Sequence, residues 1–205
     1  MKIAWFSPLN PQPSGIADYS EELLPALSRH LDIDLYIDPS WQPSNPDIRG
    51  GFTIRPYSAD GFRAGEYDQI VYHMGNDYPS HRFIHEALLR HPGVVVLHDL
   101  VLMGFYAGRE NAGRRFPSFV GFLQRFYPER ADWIAERCGG RHPFPVWEGE
   151  LARLLPMNEE VCRRASALIT HSRFVLDRLD LPAGKPAAVI PHHGHAVEGK
   201  VESAI

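Results

Sequence analysis

The chain has 205 residues, 44% of them hydrophobic, and a formal net charge of −4 at pH 7. This length and composition are sufficient to bury one sizeable core, so we expect one compact domain. A nucleic-acid partner is not expected, because binding to phosphate backbones requires a clustered basic surface. The longest apolar runs, such as Val94–Leu97, are far shorter than the roughly 20 residues of a membrane-spanning helix.

The N-terminus and the cysteines favour a soluble, cytoplasmic protein. The first eight residues, MKIAWFSP, contain one basic residue and no small-residue cleavage site, which is typical of a first strand rather than a signal peptide. Cys138 and Cys162 lie far apart and have no C-x-x-C partner, so neither a zinc site nor a disulfide framework is predicted.

Seven short β-rich runs alternate with helical periodicity along the chain. The predicted strands are Ile3–Ser7, Ile33–Ile37, Phe52–Pro56, Gln69–Met74, Val94–Leu97, Ala167–Thr170 and Ala187–Ile190. Strands that alternate with helices indicate a parallel sheet covered on both faces. The predicted fold is therefore α/β, a doubly wound, mostly parallel sheet of Rossmann type over residues 1–195, with residues 196–205 as a linker or truncated tail.

The first predicted helix follows a proline-rich turn after strand one. Its apolar positions recur at three- and four-residue spacing, at Ile16, Tyr19, Leu23 and Leu27. Ser14 and Asp18 are alternative N-caps for this helix. The segment Pro39–Gly51 is rich in Pro, Ser and Gly and is predicted to be a loop. Ser80 or a neighbour begins the helix before strand five.

The segment between strands five and six breaks this alternation and is predicted to be a helical insertion, from Leu102 to Ile134. Two shorter helices, Trp147–Leu155 and Asn158–Ala165, follow it. Residues 100–141 contain seven arginines, four acidic residues and eight aromatic residues. One interpretation is a peripheral contact with the inner face of a membrane or with a lipid-linked acceptor. The favoured interpretation is aromatic core packing beneath a solvated arginine face.

Polar residues follow the predicted strands at their carboxyl ends, where open parallel sheets bind ligands. In chain order these groups are Ser14-Gly15-Ile16, Gly75-Asn76-Asp77, His98-Asp99, His171-Ser172 and His192-His193. The sequence therefore predicts that one edge of the sheet carries the site.

Ser14 and Gly15 can present backbone N–H groups and the positive end of a helix dipole to a phosphate. The alternative is a glycine that is needed only for a tight turn. No G-x-G-x-x-G fingerprint is present. Asp38, the nearest candidate for binding a ribose, is equally well explained as a turn residue because Pro39 follows it.

His98 directly follows a buried strand, and an imidazole there can accept a proton or bind a sugar hydroxyl near neutral pH. We favour this interpretation over a histidine held by a backbone carbonyl, because Asp99 can cap the next helix and fix the loop. Asn76 suits a tight turn as well as it suits a ligand. His73 lies within the apolar run of strand four and is predicted to be a core histidine.

A metal-dependent hydrolase is a less favoured alternative. Its ligands would come from His73, His98, Asp99, His192 and His193, but no H-E-x-x-H pair is present, and the one H-x-H pair is His193-Gly194-His195. We therefore assign no metal ligand.

Five ordered stretches together resemble the N-terminal domain of glycosyltransferase family four. They are Ser7-Pro8 followed by Pro13–Tyr19, then Gly75-Asn76, then His91–Asp99, then Ile169–Ser172, and finally Val189–Gly194. The resemblance implies a GT-B fold, in which two Rossmann-like domains face a cleft, and retaining sugar transfer from a nucleotide sugar to a glycan or glycolipid acceptor with no required metal.

The resemblance also implies roles for individual residues. Ser14, Gly15 and Ile16 would approach the donor diphosphate, and His98 would lie beside the transferred sugar. The acceptor or sugar would contact Tyr19, Asn76, Asp99, Ser172, His192 and His193. The donor-binding C-terminal domain, with paired glutamates and a basic phosphate clamp, would follow Gly194, so we expect this chain alone to be inactive. The remaining alternative is a stand-alone Rossmann-like module that binds a nucleotide or sugar phosphate.

Overall fold

A computed structural model describes residues 1–110, 116–138 and 149–194. Its seven strands form one sheet in which every described pairing is parallel, in the order β3-β2-β1-β4-β5-β6-β7. The strands are β1 Lys2–Phe6, β2 Asp32–Ile37, β3 Thr53–Pro56, β4 Gln69–Met74, β5 Val94–Leu97, β6 Ala167–Thr170 and β7 Ala187–Val189. The order reverses between β1 and β4, which is where doubly wound sheets open a crevice.

Helices connect these strands. The α-helices are α1 Gly15–Leu27, α2 Pro46–Gly51, α3 Tyr78–Arg90, α4 Met103–Arg109, α5 Phe116–Phe126, α6 Ala131–Cys138, α7 Glu150–Leu154, α8 Glu159–Arg164 and α9 Arg173–Leu176, and short 3₁₀ helices span Ala64–Glu66 and Pro128–Arg130. The predicted α/β class and the helical insertion after the fifth strand are confirmed.

The sheet buries both of its faces. Successive residues of β1 alternate between two hydrophobic clusters, with Ile3 and Trp5 in one and Ala4 and Phe6 in the other, because side chains on a strand point alternately to opposite faces. The smaller cluster packs beneath α1 and α2. The larger one contains α3, α8 and the insertion helices.

Two local predictions differ from the structure. The predicted loop Pro39–Gly51 contains α2, in which the side chain of Asn45 accepts a bond from the N–H of Asp47, Pro46 occupies the first turn, and Ile48 is buried. Strand seven ends at Val189 rather than Ile190. The predicted tail 196–205 and the start of the helix predicted at Trp147 lie outside the described residues.

The aromatic residues of the insertion pack inward. Phe105, Tyr106, Phe119 and Tyr127 are buried in the larger cluster, as the favoured interpretation predicts. Across residues 1–110, 116–138 and 149–194, no helix has the length and hydrophobicity needed to cross a bilayer.

Candidate functional site

An open cleft of about 620 Å³ lies at the carboxyl ends of the strands. It is lined by residues that follow β1, β4, β5 and β7, namely Pro13, Ser14, Gly15, Ile16, Asp18, Tyr19, Glu22, Asn76, Asp77, His81, His98, Asp99, His192 and His193. The start of α1 and His98 therefore share one cleft, as the predicted convergence of strand ends requires.

The loop before α1 is held from both sides. The buried carboxylate of Glu21 accepts bonds from the backbone N–H of Asn10 and from the side-chain amide of Asn45. Asp18 accepts a further bond from the side chain of Asn10, over 2.8 Å. Ser14 is the N-cap of α1, since its hydroxyl accepts from the N–H of Ile16. The choice between Ser14 and Asp18 is thereby decided.

Gly15 is not explained by local structure. Its backbone lies outside the left-handed region, and a Cβ added to it would meet nothing within 4 Å. A tight turn therefore does not require glycine at this position. Since Gly15 lines the cleft, the missing side chain leaves room for a group that approaches the backbone from the cleft.

The loop after β4 is built differently from the prediction. Asp99 does not cap the helix after β5; instead its carboxylate accepts from the backbone N–H of Asn76, over 2.9 Å. The side chain of Asn76 accepts from the N–H of Phe105 in the first turn of α4, over 3.0 Å. Asn76 thus supplies the cap that Asp99 was predicted to supply, and both residues still line the cleft.

Gly75, which precedes Asn76, is a glycine for steric reasons. A Cβ there would lie 2.6 Å from the Cδ1 of Ile16 and 3.0 Å from the Nε2 of His81. The close packing of these two cleft residues leaves no room for a side chain at Gly75.

Three histidines form a hydrogen-bonded row across neighbouring strands. His73 Nδ1 lies 2.9 Å from His98 Nε2, and His98 Nδ1 lies 3.2 Å from His171 Nε2. The row ends at the backbone carbonyl of Ile190, 2.9 Å from His171 Nδ1. The row therefore crosses the carboxyl ends of β4, β5, β6 and β7, and we name it the histidine row.

The backbone carbonyl of Ile190, at the end of the histidine row, fixes the tautomers of the three imidazoles. A carbonyl can only accept, so His171 carries its proton on Nδ1. His98 must then donate from Nδ1, and His73 donates from Nδ1 to His98 Nε2. Both ring nitrogens of His98 are consequently bonded within the protein. His73 is buried, as predicted, but its Nε2 has no partner among the described residues.

Burial keeps the histidine row neutral. Desolvation, with smaller contributions from the neighbouring imidazoles of His171 and His81, lowers the pKa of His73 to about 3. Desolvation likewise lowers the pKa of His98 well below its ordinary value and also lowers the pKa of His171. An uncharged row is consistent with the tautomers assigned above.

Tyr19 lies at the centre of these rings. Its ring centroid is 4.9 to 5.8 Å from five imidazoles, those of His73, His98, His171, His192 and His193. Burial raises the pKa of its hydroxyl. The helical spacing that placed Tyr19 on the buried stripe of α1 did not indicate that it would meet the strand ends.

Of the remaining predicted residues, two line the cleft and two do not. His192 and His193 line the cleft, and His193 Nε2 lies 2.8 Å from a carboxylate oxygen of Glu22. Ser172 does not line it; its hydroxyl accepts from the N–H of Val175 and caps α9. Asp38 is buried and bonded to Ser40 and Arg82, so the turn interpretation explains it.

Sequence reasoning placed His171 at the predicted edge without giving it a role, and it did not assign His81 or Glu22 to the site. His81 lies in the buried stripe of α3, where a histidine is ordinarily a core residue. Glu22 lies one turn beyond Asp18 on α1, and this spacing could have identified it. Of the residues that the structure describes, no three His, Cys, Asp or Glu are grouped so as to hold a metal ion.

Comparisons with known proteins identify no relative of this chain. No family model, curated protein or solved structure matches this chain. The resemblance to family four therefore remains a prediction from sequence.

Proposed function

We propose that this chain is the acceptor-side domain of a retaining glycosyltransferase of the GT-B type. In this proposal it works with a donor-binding domain and moves a sugar from a nucleotide sugar to a sugar or lipid-linked acceptor. The observation that supports it most strongly is the joint position of Gly15 and His98 on one open cleft. Gly15 has no local reason to be glycine, and ligand approach supplies one.

Each predicted residue has a task in this proposal. Gly15 lets the donor diphosphate approach the N-terminus of α1, where the helix dipole favours an anion. Tyr19 and Asn76 line the cleft that receives the sugars. His98 faces the transferred sugar, and a sugar hydroxyl that donates to its Nε2 replaces the bond from His73. The exchange leaves the buried Nδ1–H of His73 without an acceptor, so binding of the sugar must offset a cost of about 1–3 kcal/mol.

Sugar transfer by the complete native polypeptide tests this proposal. We expect nucleoside diphosphate release from a UDP- or GDP-sugar that depends on an acceptor, with the anomeric configuration retained in the product by NMR. His98→Ala should lower turnover by on the order of 100-fold and should change nucleotide-sugar affinity little. If none of the nucleotide sugars released nucleoside diphosphate in the presence of an acceptor, the proposal would be refuted. Unchanged turnover in the variant would remove His98 from catalysis.

A second candidate is a module that binds a nucleotide sugar or sugar phosphate without catalysis. The occupied nitrogens of His98 favour it, since the imidazole is fully bonded within the protein. Micromolar binding of a nucleotide sugar by the isolated chain, without turnover in the complete polypeptide, would support this candidate over the first.

A further inference from the structure

The cleft carries an unbalanced charge. The described residues that line it include four carboxylates, of Asp18, Glu22, Asp77 and Asp99, and neither an arginine nor a lysine. One of the four carboxylates, that of Glu22, lies 2.8 Å from the Nε2 of His193. The imidazoles of His81 and His98 do not offset the charge of the other three, because burial lowers the pKa values of both imidazoles and leaves them neutral at pH 7. A cleft with charges of one sign repels ligands of that sign and concentrates ligands of the other.

One buried nitrogen of the cleft wall has no partner. His81 is 1% exposed, and its Nδ1 donates to the backbone carbonyl of Asp77 over 2.8 Å. Its Nε2 therefore carries a lone pair, and that atom has no hydrogen-bond partner within the described part of the chain. A buried acceptor without a donor is costly, so it favours a ligand that brings an O–H or N–H group.

We infer that the acceptor bound in this cleft is a sugar that carries hydroxyl and amino groups and no acidic group. The inference rests on the proposed function and specifies its acceptor. The carboxylates favour an ammonium group, tolerate a neutral hydroxyl and repel an acid. The donor diphosphate is a separate matter, because it would meet the start of α1 and take its cations from the donor-binding domain.

Three monosaccharides of one skeleton test the inference: glucosamine, glucose and glucuronate. Glucuronate supplies a negative charge without a phosphate that the start of α1 could bind. Binding to the 205-residue chain is measured by NMR titration at a pH at which the amine is protonated. We expect glucosamine to bind with a dissociation constant on the order of 1–10 mM, about fivefold more tightly than glucose, and glucuronate to bind most weakly.

A variant that removes two negative charges tests whether the cleft causes the preference for glucosamine. Asp18→Asn combined with Asp99→Asn keeps an acceptor oxygen for the bonds that these side chains receive from Asn10 and Asn76. We expect it to reduce the preference for glucosamine over glucose, since two of the four carboxylates remain, and the exposed control Asp60→Asn to retain the full preference. Glucuronate binding as tightly as glucosamine, binding of none of the three sugars, or an unchanged preference in the double variant would overturn the inference. Transfer by the complete polypeptide could still occur in each case, so the proposed function is judged separately.

Discussion

Replacing Gly15 by alanine separates a structural glycine from a functional one. A methyl group there meets no atom within 4 Å and the backbone is outside the left-handed region, so folding should not suffer. Removing a glycine from a compatible position stabilises a protein by about 0.4–1 kcal/mol, because the unfolded chain loses freedom. The free energy of unfolding of Gly15→Ala in urea should therefore equal or exceed that of the native chain.

Because Gly15 lines the cleft, we expect the same methyl group to obstruct a ligand that approaches the backbone there. A misplacement of about 1 Å costs on the order of 100-fold in rate, and we expect a loss of that size in sugar transfer by the complete polypeptide. Gly50→Ala is the matched control, since Gly50 also lies in a helix, with nothing within 4 Å of its added Cβ. The control should gain similar stability and keep full activity. A destabilised Gly15→Ala, or one with native turnover, would refute the reasoning.

Two further predictions concern pH. Because the pKa of His73 is lowered from 6.5 to about 3, its contribution to stability is fully present above pH 6.5 and is lost as the pH falls toward 3. His73→Asn, which keeps a donor for His98, should therefore reduce the slope of unfolding free energy between pH 7 and pH 5 by roughly 1 kcal/mol per pH unit, measured beside His30→Asn as the matched substitution of an exposed histidine. A native slope in His73→Asn would contradict the assignment. Burial alone would raise the pKa of Asp34, but the hydrogen bond from Tyr67 and the bond and charge of Arg55 lower it. The stability from Asp34 is thus present above its ordinary pKa and is lost as the pH falls through the lowered value. Tyr67→Phe should cost about 1–3 kcal/mol at pH 7 and less at pH 3, as measured by urea unfolding; an equal loss at both values would show that the bond to the carboxylate is not the cause.

The sequence was sufficient to predict the strands and the α/β class with a mostly parallel sheet, since hydrophobic runs and their spacing report burial directly. All seven predicted strands agree with the structure to within one residue at each end. The helix α2 was missed because Pro46 and Gly50-Gly51 are typical of a loop. A capped, proline-initiated turn around the single buried residue Ile48 outweighed that composition.

The candidate site was only partly predictable, because hydrogen-bond partners between distant segments leave no periodic signal. The sequence placed Asn76 and Asp99 at neighbouring strand ends, yet their roles are exchanged: Asn76 caps α4, and Asp99 holds Asn76. The histidine row was equally hidden. His73, His98 and His171 are separated along the chain, and only the parallel register of β4, β5 and β6 brings their rings into contact.

The end of the histidine row couples the cleft to the path by which the chain leaves the sheet. Ile190, whose carbonyl receives the last bond, directly follows β7. Without that carbonyl, His171 could carry its proton on Nε2 instead of Nδ1, and the donor and acceptor roles of the two His98 nitrogens would reverse. The position of the backbone just after β7 therefore determines whether the Nε2 of His98 accepts or donates a hydrogen bond.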